Sequence, residues 1–98
     1  MNGSHWMAVY LSSNGFGFYF DPLGLDPPEE VITFLERNCM KRYQLLDSNI
    51  QGSQSILCGG FCVLFLLYCP DIRSFFKKFK KCNFKNNDNI VKSLLRIK

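Results

Sequence analysis

Several features are scarce in this 98-residue chain, and each scarcity removes a class of explanation. The longest apolar stretch, residues 56–68, is interrupted by Gly59 and Gly60 and falls short of the roughly 20 residues that cross a bilayer. It reads as a core helix, with a membrane span as the minor alternative, and a membrane is not among the expected partners. The opening residues, MNGSHWM, lack the basic and apolar regions of a secretory leader, and the five cysteines are odd in number and irregular in spacing. The expectation from both points is a reducing intracellular setting with free thiols. Histidine occurs once, at His5, which puts the Cys2His2 zinc set out of reach, and Cys58 and Cys62 are four apart. No metal and no cofactor is expected. Acidic residues are scarce at one end only: residues 1–70 carry three basic and six acidic side chains, residues 71–98 nine basic and two acidic. The last 28 residues form a separate electrostatic object.

What remains is enough for one small folded domain. Apolar residues make up 47% of the chain and charged residues 20%, which argues against disorder over most of its length. HWMAVYL and FGFYF flank SSNG, the pattern of two strands around a turn ending in Asn-Gly and centred near Ser13 and Asn14. Facing residues should then have numbers adding to about 26 or 27, which sets His5 opposite Asp21 or one place away. DPLGLDPP ends the hairpin, and acids at Glu29 and Glu30 open a surface helix over about 27–38. Residues 41–51 read as a strand beside the hairpin. A helix begins near Cys58, with Ser55 as candidate cap, and Pro70 stops it. The fold class is α+β, in the order β-β-α-β-α with a basic helical tail. In that tail Ile72, Phe75, Phe76 and Phe79 have helical spacing, and NNDN at residues 86–89 should break it. A solvated terminal helix is the expectation there, with docking on an acidic partner, a membrane surface or nucleic acid as the functional alternative.

The chemistry concentrates at the mouth of the second helix. A cysteine becomes a useful nucleophile beside a helix N-terminus or an imidazolium. Cys58 has the first by position, and His5 is the one residue able to supply the second. Asp21, carried to His5 by the hairpin, could orient the imidazole as the third member of a triad does. Gln51 and Gln54 lie on the approach to Cys58 and could join backbone N–H groups as oxyanion donors. The glycines at 59 and 60 weaken the first turn by roughly 1 kcal/mol each relative to alanine, but let a peptide or a neighbouring backbone lie against it. Cys62 and Cys69 read as small core residues.

HW at residues 5–6, FDPLG at 20–24 and IQGSQSILCGGFC at 50–62 resemble the adenovirus-type cysteine protease (adenain) family, including proteases of Maverick or Polinton DNA transposons. More distantly they resemble proteases that process ubiquitin-like proteins. The match spans residues 5 to about 69. The resemblance implies that His5 is the general base, Asp21 the orienting acid, Cys58 the nucleophile and Gln51 the oxyanion donor. Gln51 is preferred to Gln54 because it keeps the family's seven-residue step to the cysteine. Adenoviral enzymes have Glu where this chain has Asp21, a change the wider clan tolerates.

The resemblance further implies a papain-like core and hydrolysis after small-residue motifs often containing Gly-Gly. It implies a role in maturing viral or transposon capsid proteins, and hence the nucleus or the virion. Adenoviral members are stimulated by DNA and by a short viral peptide, which makes the basic tail and Cys39 the positions to examine for such contacts; spacing alone assigns neither. Family members carry several tens of residues before the histidine, so residues 1–70 read as the C-terminal part of a catalytic domain and 71–98 as its basic tail. Two rival readings follow: a catalytically inactive truncated remnant, and a nucleic-acid or acidic-surface binding module working through the tail.

Overall fold

In the structure, a computed structural model, residues 5–46, 48–52, 55–81 and 83–96 are described. Aliphatic and aromatic residues make β1 (Ala8–Leu11) and β2 (Phe16–Phe20), which pair antiparallel. α1 (Glu29–Asn38) carries the chain back so that β3 (Arg42–Leu46) pairs with β2 in parallel. A parallel pair needs such a crossover, because a tight turn can only reverse the strand. The sheet order is β1-β2-β3. Four helices complete the α+β fold: α1, α2 (Cys58–Tyr68), α3 (Ile72–Phe76) and α4 (Phe84–Leu95). The expected order of the first five elements holds.

The hairpin register differs from the expected one. Ala8 faces Phe20 and Leu11 faces Gly17, so facing numbers add to 28 (8 with 20, 11 with 17). The cause lies in the turn. Ser12 N–H donates to the Phe16 carbonyl at 2.8 Å, and its hydroxyl accepts from Phe16 N–H at 3.2 Å, closing a loop of three residues. The third, Gly15, has φ +87, a left-handed conformation that glycine adopts without steric cost.

Strand alternation sends Ala8, Tyr10, Phe18, Phe20 and Leu46 to one face, where they meet the helices after β3. α2 contains no charged residue; it buries Cys58, Phe61, Cys62, Leu64 and Phe65 on one side and leaves Val63, Leu66 and Leu67 exposed on the other. Phe20 stacks on Phe65 with centroids 4.6 Å apart, and Phe75 meets Phe20, Phe65 and Phe79 at 5.3, 5.5 and 5.1 Å. Each such burial contributes about 1.5–3 kcal/mol. On the opposite face, Gly17 lies under the Cys39 sulfur at the C-terminal end of α1, where a side chain at 17 would collide with it.

The tail is not a solvated helix. Phe75, Phe79 and Val91 belong to the same buried cluster as Phe20 and Phe65, while Lys77, Lys78, Lys80, Lys81, Lys85 and Lys92 remain exposed. α3 ends at Phe76, so Phe79 reaches the core from the following turn. NNDN does not break the pattern but lies inside α4, because Asn83 caps that helix by accepting from Asn86 N–H at 3.2 Å.

Candidate active site

Three chain segments meet around the start of α2. The first carries His5 and Trp6, just before β1. The second is the turn after β2, residues 21–24. Asp21 is 2% exposed, and its two carboxylate oxygens are held separately: Oδ1 accepts from Leu23 N–H at 2.8 Å, and Oδ2 lies 2.9 Å from His5 Nε2. Gly24 closes this turn by donating to the Asp21 carbonyl at 2.8 Å, with φ +74. Projected from the strand register alone, His5 would face Leu23. The imidazole and carboxylate meet because both residues lie beyond the paired strands, where the chain leaves the ladder.

The third segment, residues 50–57, is fastened to the second. The Pro22 carbonyl accepts from both Ile50 N–H and Gln51 N–H, each at 3.0 Å. Gln51 is 2% exposed; its Nε2 donates to the Ser55 carbonyl at 3.1 Å, and its Oε1 has no hydrogen-bond partner among the described residues. One amide hydrogen of Nε2 remains beyond the bond to Ser55. Gln54 lies outside the described residues. Ser55 is not the N-cap of α2, which is Leu57 and makes no side-chain cap bond. The Ser55 hydroxyl acts two residues upstream instead, accepting from Leu57 N–H at 3.1 Å.

Cys58 is the first residue of α2 and is 7% exposed. The first-turn N–H groups of a helix project from its end, and the helix dipole there favours negative charge. Gly59 lies under the Trp6 indole: a methyl at 59 would be 3.5 Å from Trp6 Cδ1. The residue after the imidazole thus packs on the residue after the thiol. One turn along α2, burial pushes the Cys62 thiol up to about 12, with the neighbouring Cys58 and Asp21 adding to the effect. Burial likewise raises the Tyr19 phenol to about 12, with Asp21 and then Cys62 adding to it. Asp21 and the first two turns of α2 therefore share one electrostatic neighbourhood. Cys69, raised to about 11 by burial, lies at the far end of α2.

The structure brings His5 and Asp21 into contact, buries Gln51 behind the Asp21 turn and sets Cys58 at a helix start. It adds Ser55 as the residue to which both Gln51 and Leu57 are bonded, a role the cap assignment missed. Among the described residues no cluster of His, Cys, Asp and Glu could hold a metal ion, and no helix is long and apolar enough to cross a membrane. No protein-family model, curated protein or solved structure matches the chain.

Proposed function

We propose that this chain is a cysteine endopeptidase of the adenain type, with a partial papain-like core and a Cys58-His5-Asp21 triad, acting in viral or transposon capsid-protein processing. The observation that carries this reading is the 2.9 Å contact between His5 Nε2 and the buried Asp21 carboxylate, beside a helix that opens with Cys58.

With its Nε2–H donated to Asp21, the neutral imidazole keeps a lone pair on Nδ1, the nitrogen that exchanges a proton with the thiol. The Cys58 thiolate attacks the scissile carbonyl carbon. Negative charge then develops on the carbonyl oxygen, where the remaining Gln51 amide hydrogen and the N–H groups at the start of α2 serve as donors. The C–N bond breaks as His5 protonates the leaving amine, and a thioester remains. His5 next takes a proton from water, which attacks the thioester; the C–S bond breaks, the acid leaves and Cys58 is regenerated.

Incubation with peptides containing Gly-Gly, followed by mass spectrometry of quenched samples, tests this. The expected result is cleavage after the motif together with an acyl adduct on Cys58, both lost in Cys58→Ala. Cleavage that survives Cys58→Ala would reject the assignment, and a folded chain without turnover would favour the inactive remnant.

A second reading, binding to nucleic acid or another acidic surface, is favoured by the exposed lysines of residues 77–92 arrayed outside core-anchored phenylalanines. Its signature is affinity that falls linearly with salt on logarithmic axes. Affinity insensitive to salt would remove it.

A further inference from the structure

We propose that Asp88, on α4, is a positioning residue for the site, acting through Ser55 on both Gln51 and the start of α2. The inference rests on the proteolytic reading for its consequence, but its geometry is independent of it. The Ser55 hydroxyl donates to Asp88 Oδ1 at 3.0 Å. Because its single hydrogen is committed to the carboxylate, the oxygen presents lone pairs to Leu57 N–H, from which it accepts at 3.1 Å. Leu57 is the N-cap of α2, and its carbonyl accepts the Phe61 N–H at 3.0 Å, in the first turn of that helix. Cys58 is the next residue. The carbonyl of the same Ser55 fixes the Gln51 amide at 3.1 Å. The proposed nucleophile and the proposed side-chain oxyanion donor thus both depend on residue 55, whose hydroxyl is aimed by Asp88.

Neighbouring contacts make α4 a fit support for this. Phe84, Asn87 and Asp88 are three and four apart and share a helix face. Phe84 lies against Gly52, where a methyl would come within 3.1 Å of its Cβ. Asn87 donates to the Ile50 carbonyl at 2.9 Å and to the Lys80 carbonyl at 2.7 Å. Residues 50, 52 and 55 are therefore held by one helix, and Asp88 is the member of that face that reaches Ser55.

The test compares Asp88→Ala with Asp88→Asn, which keeps an acceptor for the hydroxyl, reading the Gln51 side-chain amide by ¹H–¹⁵N NMR and turnover of a Gly-Gly peptide. In Asp88→Ala the Gln51 amide resonances should shift and kcat should fall about 10- to 100-fold with KM little changed, since misplacement by about 1 Å is enough for that loss. Asp88→Asn should restore both. If the wild-type chain cleaves nothing, yet Asp88→Ala moves the Gln51 resonances and Asp88→Asn does not, the positioning role stands and the proteolytic reading falls. A lower melting temperature with Gln51 resonances and kcat unchanged overturns the proposal. Should Asp88→Ala fail to fold, Asp88→Leu, close in volume and unable to accept from the hydroxyl, takes its place and is judged by the same criteria.

Discussion

The two halves of the candidate site are held in different ways. His5 and Asp21 lie 16 residues apart at the open end of one hairpin, and Asp21 is fixed by its own turn through Leu23 and Gly24. The Gln51–Cys58 segment is fixed from a distance: Asp88 is 33 residues from Ser55, and Asn87 is 37 residues from Ile50. The first half is a local device of strand and turn, the second a strap across the molecule that depends on α4. The acid and imidazole should therefore tolerate damage to the C-terminal helices better than Gln51 and Cys58 do.

Four substitutions sharpen that contrast. The largest effect should come from His5→Ala, which removes the proposed base and should lower kcat/KM for a Gly-Gly peptide by about 10²–10⁴-fold; it also leaves the buried Asp21 Oδ2 without its partner, so the melting temperature should fall as well. Gln51→Ala should lower kcat by about 10²–10³-fold, the loss expected of one oxyanion donor, measured on the same peptide. Asn87→Val acts on the strap rather than on the chemistry. It leaves the Ile50 and Lys80 carbonyls without their donor and should destabilise the fold by about 3 kcal/mol relative to the wild-type chain in urea unfolding. Gly17→Ala, on the face remote from both halves, should cost about 1–2 kcal/mol through collision with the Cys39 sulfur. That cost should largely vanish in the double variant with Cys39→Ala, so a thermodynamic cycle measures it.

Raising the pH probes the core beneath both halves. The buried Cys62 thiol and Tyr19 phenol have folded-state values of about 12, above the ordinary 9.0 and 10.0. The unfolded chain therefore loses these protons first. The stability they contribute is complete below about pH 9 and is lost as pH rises toward 12. Urea midpoints measured between pH 8 and pH 11 should fall on the alkaline side, and Cys62→Ala should flatten the lower part of that fall.

Much of the local half was legible in the chain. Asn-Gly between aromatic segments marks the hairpin, a unique histidine before it and an Asp-Pro after it mark the pair, and Cys58 ahead of two glycines marks the helix start. The register was not legible, because the turn closes through the Ser12 hydroxyl and spends a third residue on Gly15. A shift of that size would have misaligned the pair had His5 and Asp21 belonged to the ladder. The distant half was harder still. Asn87, within NNDN, resembles a helix breaker until its partners are known: it satisfies two carbonyls in the core, inside a helix that Asn83 caps. Ser55 likewise looks like a cap from its place before α2, and nothing within ten residues announces that its hydroxyl is claimed by Asp88. The aromatic periodicity of residues 72–79 signalled an apolar face, but which surface it would cover depends on Phe20 and Phe65, far away in the chain.

The central claim is that the thiol of residue 58 works with the imidazole of residue 5. A peptide carrying a C-terminal thiol-directed electrophile after Gly-Gly measures this directly, with the site and rate of labelling read by mass spectrometry. Labelling should fall on Cys58 and slow by at least about a hundredfold in His5→Ala. Equal labelling rates in the two proteins would contradict it.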